Sequence, residues 1–433
     1  MPGLPNILYL HSHDTGRYVQ PYGHAVPTPN IQSLAEQGVL FRNAFCAAPT
    51  CSPSRAALLT GMSPHSCGML GLAHRGFQLN DYRQHIIHML RREGYYSALC
   101  GVQHVASDPN VIGYDEIINC ESRSAAHVAP AAANWLTSRP KRPFFLSVGF
   151  TETHREFPAP GATEDPRYTL PPAPLPDMPQ TRRDMAAFKA SARNLDFGMG
   201  IVLNSLKAHG SDQDTLVICT TDHGVAFPGM KCNLTDHGLG VMLIMRGPGF
   251  SGGSVIDAMV SQIDLFPTIC DYLHIEPPEW LQGASMIPLV RGKVQDINDA
   301  VFGEVTFHAA YEPQRALRTN RWKYIRHFDE RRRPVLPNCD DGPSKDVWMR
   351  HGWKDRPTAS ERLYDLLFDP GETNNLAGDP SARSVLTEMR TTLDRWMHET
   401  EDPLLAGPVK PPSGARMNDA DGLSPKETPI IYD

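Results

Sequence analysis

Short apolar runs alternate with amphipathic stretches through the first three hundred residues. Asn6–Leu10, Tyr96–Cys100, Phe144–Phe150, Leu216–Thr220 and Val241–Met245 read as strands. Phe144–Phe150 is largely apolar without a break, as expected of a strand covered on both faces. Helical spacing marks Ile31–Gln37, Ser54–Leu59, Ile86–Glu93, Ala129–Thr137, Met185–His209 and Leu265–Leu273. This alternation predicts an α/β unit, a large mixed and mostly parallel sheet sandwiched by helices. Beyond residue 312 the pattern changes: Arg315–Thr319 and Trp322–Phe328 read as an antiparallel hairpin, and Ser384–Glu399 as a closing helix. The expected organisation is therefore 1–312 for the α/β unit and 313–433 for a smaller α+β unit with an antiparallel sheet.

Open parallel sheets bind ligands beyond the carboxyl ends of their strands. Four predicted strands end in unusually polar sequence: His11-Ser12-His13-Asp14, Gly101-Val102-Gln103-His104, Thr151-Glu152-Thr153-His154 and Thr221-Asp222-His223-Gly224. The chain has 18 histidines, so one such tip carries little weight, but four together point to one crevice. After the third tip, the stretch from Pro158 to Pro179 holds eight prolines, too stiff for a helix or central strand. It is expected to wall the crevice.

Composition narrows the function classes. Lys and Arg number 41 against 48 Asp and Glu, a net charge of −7, which disfavours nucleic acid or an anionic membrane as the main partner. No apolar run approaches the roughly 18 residues of a membrane span. The N-terminal stretch MPGLPNILYL has neither a basic region nor a long apolar core of the export type, so the expected location is the cytoplasm, with reduced cysteines. There are nine cysteines, an odd number with no CxxC pair, which excludes a zinc ribbon or thioredoxin-type site. The 39 prolines exceed the average share of about 5% and suit a loop-rich enzyme.

The stretch from Cys51 to Gly61, CSPSRAALLTG, carries the most chemistry. Pro53 stiffens a turn and Ser54 is placed to cap the following helix, which holds Cys51 near a helix N-terminus, a ready anion site. Arg55 lies one turn on, where its fork can hold an oxyanion or the nucleophile. The CxPSRxxLxTG string resembles the signature of the type I sulfatases of the alkaline phosphatase superfamily. The likeness continues in Pro5-Asn6-Ile7-Leu8, in Asp222-His223-Gly224, in Leu363-Tyr364-Asp365-Leu366 and in Asp369-Pro370 through Leu376. Further segments are similar to the sulfamidase members of that family: Phe41-Arg42-Asn43-Ala44-Phe45, Arg142-Pro143-Phe144-Phe145-Leu146, Phe227-Pro228, and Trp396 through Pro403.

The resemblance implies an alkaline phosphatase-like fold and hydrolysis of a sulfate ester or sulfamate on a small sulfated compound, a saccharide by preference. It implies that a maturation enzyme oxidises Cys51 to formylglycine, whose hydrate is the nucleophile in a two-step displacement. It carries metal binding onto His13, Asp14, Asp222 and His223, leaving-group protonation onto His154, and sulfate gripping onto Lys231, with His104 and Arg55 in the same catalytic group. Three departures change the reading. The family's lysine two residues before His104 is Val102 here. His13 and His223 replace an aspartate and an asparagine, and imidazole suits Mn2+ or another transition metal better than the Ca2+ usual in the family.

The same residues keep a second reading open, a phosphonate monoester or phosphodiester hydrolase using the same nucleophile. A third is a non-catalytic glycan-binding relic. Asp236, His237, His65, the Arg331-Arg332-Arg333 run, His308, Arg315 and His351 are secondary candidates for contact with substrate or support of the site. A homodimer is left open.

Overall fold

The computed structural model describes residues 4–138 and 143–433. Arg142, which opens one of the family-like segments, and the first three residues of the N-terminal stretch lie outside the described residues. Eight strands form the main sheet in the order β4-β3-β5-β1-β6-β7-β2-β8. They are β1 (Asn6–Ser12), β2 (Val39–Phe45), β3 (Tyr96–Gly101), β4 (Glu116–Ile118), β5 (Phe144–Gly149), β6 (Thr215–Thr221), β7 (Leu243–Arg246) and β8 (Ser254–Ser261). Strand β7 is antiparallel to both neighbours; the other pairings are parallel. The sheet is thus mixed and mostly parallel, as the alternation of apolar runs predicts.

Successive side chains of β1 go to opposite faces. Leu8 and Leu10 pack with Leu146 and Val148 of β5 against the helices Ala125–Thr137 and Pro179–Ala208. Ile7 and Tyr9 pack with Phe145 and Ile218 on the other face, where the helices Cys51–Thr60, Ile86–Arg92 and Leu265–Leu273 lie. Burial on both faces is why these strands read as continuous apolar runs. Strands β2 and β8 escape that pattern because Arg42 and Asp257 point to solvent, paired at 2.8 Å. Among helices, Met185–His209 extends upstream to Pro179 and Ala129–Thr137 to Ala125.

A second sheet, β12-β11-β10-β9, is antiparallel throughout. Its strands are β9 (Val301–Phe307), β10 (Tyr311–Arg318), β11 (Trp322–His327) and β12 (Glu361–Asp365). Leu386, Met389, Leu393 and Met397 form one stripe of the helix Arg383–Glu399 and pack on Leu317, Tyr324 and Leu363 of this sheet. Residue 312 lies in β10, and β9 precedes it, so this antiparallel sheet includes residues on both sides of 312/313.

Strands β3, β5, β1 and β6 are adjacent and parallel in the sheet. Their carboxyl ends, the four polar tips, therefore lie side by side along one edge.

Candidate active site

Cys51 is the first residue of the helix Cys51–Thr60, after an extended Thr50. The helix thus starts three residues before the expected Ser54, because Pro53 is tolerated in a first turn. Ser54 is not a cap: its hydroxyl donates to the Asp222 carbonyl at 2.5 Å, tying the helix to the tip of β6. Cys51 is buried, and burial pushes its thiol well above the ordinary range despite the opposing pull of Lys231. An unmodified thiol here stays protonated and is a poor nucleophile.

The tips of β1 and β6 supply His13, Asp14, Asp222 and His223. Their ligand atoms and the Cys51 sulfur all lie within 4.8 Å of one another, fully buried. His13 Nδ1 is 2.8 Å from Asp14 Oδ1 and 3.2 Å from Asp222 Oδ2. Backbone N–H groups of Asp14 and His223 both donate to Asp222 Oδ1, at 2.8 and 2.9 Å. Asp14 adopts a left-handed backbone, φ 54°, uncommon outside glycine, which turns its carboxylate into the cluster.

The donor set fits a divalent cation. His223 Nδ1 gives its hydrogen to the Gly224 carbonyl at 2.9 Å, so in the neutral ring Nε2 carries the lone pair. That lone pair faces the carboxylate oxygen Asp14 Oδ1 at 3.3 Å. Acceptors converging in a buried space repel one another unless a cation lies between them. Burial also pushes His13 down to about 4, against the opposing pull of Asp222 and Asp14, so its imidazole is neutral near pH 7 and able to ligate.

Two buried cations flank the cluster. Lys231 Nζ sits 2.9 Å from Asp14 Oδ2 and 2.9 Å from Asp340 Oδ2. Burial alone would lower its ammonium, but Asp14 and Asp340 outweigh that and hold it well above its usual range. Burial would likewise raise the Asp14 carboxyl; Lys231, His223 and His13 outweigh it and hold the group well below the carboxylate range. Arg55 is turned away from the role of a free oxyanion fork. Its Nη2 donates to Asp222 Oδ2 and to the Ser12 carbonyl, both at 2.9 Å, and its Nη1 lies 2.7 Å from His11 Nδ1. Its charge therefore faces a cluster carboxylate, which it orients and neutralises.

The tips of β3 and β5 bring two more imidazoles. His154 lies edge-on to His13, ring centres 4.6 Å apart, and its Nδ1 is 2.5 Å from the Arg155 carbonyl, which leaves Nε2 free. His104, with φ 60°, lies 5.8 Å from the His13 ring. Its Nε2 meets Nδ1 of His74 at 2.9 Å, and the two rings stack at 5.1 Å. Val102 is buried and apolar, so it contributes no charge. His74, exposed on the short turn Ala73–Arg75, occupies this flank instead. Burial, then Arg75 and Arg416, push its imidazole down to about 4, so it acts as a neutral hydrogen-bonding group.

All nine principal candidates gather in this one place. His74 and Asp340 were invisible from sequence, since neither belongs to a strand tip or a motif. His308, a secondary candidate, is buried near them; burial and Lys231 push it well below its usual range, and its Nδ1 has no hydrogen-bond partner. The other secondary candidates serve the frame. Asp236 pairs with Arg318 at 3.0 Å and Lys323 at 2.7 Å, and His237 meets the Tyr18 hydroxyl at 3.4 Å. His65 and Arg315 converge on Glu304 and Asp402: His65 Nδ1 is 2.7 Å from Glu304, and Arg315 Nε 2.5 Å from Asp402. Of the arginine run, Arg331 pairs with Asp421. His351 lies outside the cluster, beside Trp348 and Trp353 on a neighbouring groove, its Nδ1 2.8 Å from the Val347 carbonyl.

The family model described as Sulfatase matches residues 5–275, and the one described as N-sulphoglucosamine sulphohydrolase, C-terminal, matches residues 231–345. The chain is 29% identical to human N-sulphoglucosamine sulphohydrolase, covering 93% of this chain and 92% of that protein. It is 27% identical to an ulvan-active sulfatase of Formosa agariphila, covering 92% of this chain and 75% of the relative. A solved structure described as a complex with its substrate D-glucosamine-2-N,6-O-disulfate superposes with a TM-score of 0.71 at 19% identity, over 92% of this chain and 98% of that one.

Proposed function

Because the chain belongs to the sulfatase family, we propose that it hydrolyses a sulfate ester or sulfamate on a sulfated saccharide, with Cys51 converted to formylglycine. The observation that carries this reading is the placement of Cys51. It sits at the N-terminus of a helix, against four metal-competent side chains and beside Lys231, in a site that keeps the free thiol unreactive. Conversion to an aldehyde removes that obstacle, since the hydrated aldehyde supplies a hydroxyl nucleophile without a thiolate. Relatives named for N-sulphoglucosamine and ulvan support a sulfated saccharide as substrate.

Each residue has a task that its surroundings support. The positive end of the helix and the Lys231 ammonium attract the sulfuryl oxygens and stabilise the charge that grows on them. Arg55 holds Asp222 in place. His154, with Nδ1–H committed to a carbonyl, offers Nε2 to carry the proton to the leaving oxygen or nitrogen. His104 stands across the crevice in contact with His74. His13, Asp14, Asp222 and His223 would hold the metal, whose Lewis acidity polarises the sulfuryl group and the nucleophile. The two imidazoles favour Mn2+ or another transition ion over Ca2+.

The described cysteines are all unpaired, which suits a reducing compartment such as the cytoplasm. Among the described residues no helix is long and apolar enough to cross a membrane.

The test is a substrate screen on protein coexpressed with a formylglycine-generating enzyme. N-sulfated and O-sulfated glucosamines, aryl sulfates and a phosphonate monoester are compared, with Ca2+ and Mn2+ varied. Release of sulfate from a sulfated sugar at rates above the phosphonate is expected. Faster phosphonate cleavage would transfer the assignment to the phosphonate hydrolase reading, which His223 and Val102 favour.

A further inference from the structure

The proline-rich stretch is not spent on the reaction centre. Pro174 and Pro176 face Val347, Trp348 and Trp353 across a groove of about 370 Å3. Pro174, Trp348, Trp353 and Arg356 also line a neighbouring cavity of about 550 Å3, and that cavity extends to Lys231. The two spaces adjoin across these four shared residues and make a trough, with the indole pair between them and the loop that carries Lys231 bordering the larger one. Both volumes lie within the roughly 300–1,000 Å3 of small-molecule sites.

The loop that presents Lys231 also makes the trough's floor. Gly229 has φ 77°, and a Cβ there would stand 2.9 Å from Pro174 and 3.3 Å from the Trp348 ring. A side chain at 229 would collide with Pro174 and press on Trp348, so glycine lets this loop pack directly against the trough wall. Trp348 and Trp353 are half-buried and perpendicular, ring centres 5.0 Å apart, which leaves indole surface facing the groove.

We infer that this trough is a saccharide-binding subsite, taking unsulfated sugar rings joined to the unit whose sulfate is cleaved. The chemistry of the lining selects that ligand. Indole faces suit the apolar C–H faces of pyranose rings, while the Asn233 amide oxygen, whose nitrogen alone is engaged, and Glu372 Oε2, which has no hydrogen-bond partner, are open to hydroxyl groups. Of the lining cations two are already committed, and exposed Arg356 is open to a carboxylate on a sugar ring. Lys231 is held between Asp14 and Asp340, and Arg362 is bonded to Gln314 and His327. Burial pushes Glu312 and Glu372 up to about 7, so both are substantially protonated near neutrality and able to donate to a sugar oxygen. The inference rests on the sulfatase reading for the sugar bound at Cys51, but binding in the trough needs no turnover.

The test separates the two. In a Cys51→Ala background, calorimetry measures binding of two unsulfated tetrasaccharides, one of N-acetylglucosamine and one alternating hexosamine with uronic acid. Saturable binding of at least one is expected, weakened about 10-fold by Trp353→Ala and largely retained by Trp353→Phe; a tenfold loss is about 1.4 kcal/mol. In matured protein, kcat/KM for a tetrasaccharide ending in N-sulfoglucosamine should exceed that for the monosaccharide. Trp353→Ala should erase the excess and leave the monosaccharide value unchanged. Failure of both tetrasaccharides to bind, or equal binding by Trp353→Ala, would overturn the subsite. Absence of sulfate release with intact tetrasaccharide binding would instead overturn the sulfatase reading and leave the subsite standing.

Discussion

Lys231 is held by two carboxylates from different parts of the chain, Asp14 at a strand tip and Asp340 from the segment after β11. Asp340→Asn removes one of them while Asp14 keeps the ammonium charged. The expected result is an aligned-charge defect, a fall of about 10- to 100-fold in kcat/KM with the fold retained, read by steady-state kinetics alongside thermal melting. His13→Ala and His223→Ala each delete an imidazole from the cluster proposed to hold the metal. Bound transition metal, measured by elemental analysis after dialysis, should fall in both; unchanged calcium with no transition metal in the wild type would remove the argument for Mn2+. Sequence order made His13, Asp14, Asp222 and His223 legible because each directly follows an apolar strand, where ligands collect. It made Cys51, Arg55 and Lys231 legible through a family string. Asp340 and His74 had no such marker, since only tertiary packing brings them to the crevice.

The four tips converge because β3, β5, β1 and β6 are neighbours, an order no pattern of apolar residues specifies. What the pattern did carry was burial on both faces, hence a parallel sheet with its ligands at one edge. Where polar residues interrupt a strand, as Arg42 does in β2, the signal failed. The helix Cys51–Thr60 is anchored at both ends. Ser54 ties its start to Asp222, and just beyond it His65 ties to Glu304 of β9, with Arg315 and Asp402 completing a buried charged group. Breaking a buried charge pair on one side leaves its partners uncompensated, at a cost of about 3–5 kcal/mol. Glu304→Ala should therefore lower stability to urea by about that amount. A loss under 1 kcal/mol would show that this link between the nucleophile helix and the small sheet is not needed.

For the molecule as a whole, the net charge of −7 conceals a reaction centre in which Arg55 and Lys231 balance buried carboxylates. It also conceals two buried carboxyls, Glu312 and Glu372, pushed by burial up to about 7 at the junction of the two sheets. In the unfolded chain both would ionise near 4.5, so between about pH 4.5 and 7 the folded state binds more protons and stability declines as pH rises. Melting temperature should drop across that window, and Glu312→Gln should flatten the drop; a variant with the wild-type slope would show that Glu312 does not ionise in this range. The central claim is that catalysis runs through an aldehyde at residue 51. Its most direct test measures sulfate released from an N- or O-sulfated glucosamine across preparations whose Cys51-to-formylglycine conversion has been quantified by peptide mass spectrometry. Turnover proportional to the aldehyde fraction, and falling to zero with it, is predicted. Undiminished sulfate release from protein in which residue 51 is entirely cysteine would contradict the account.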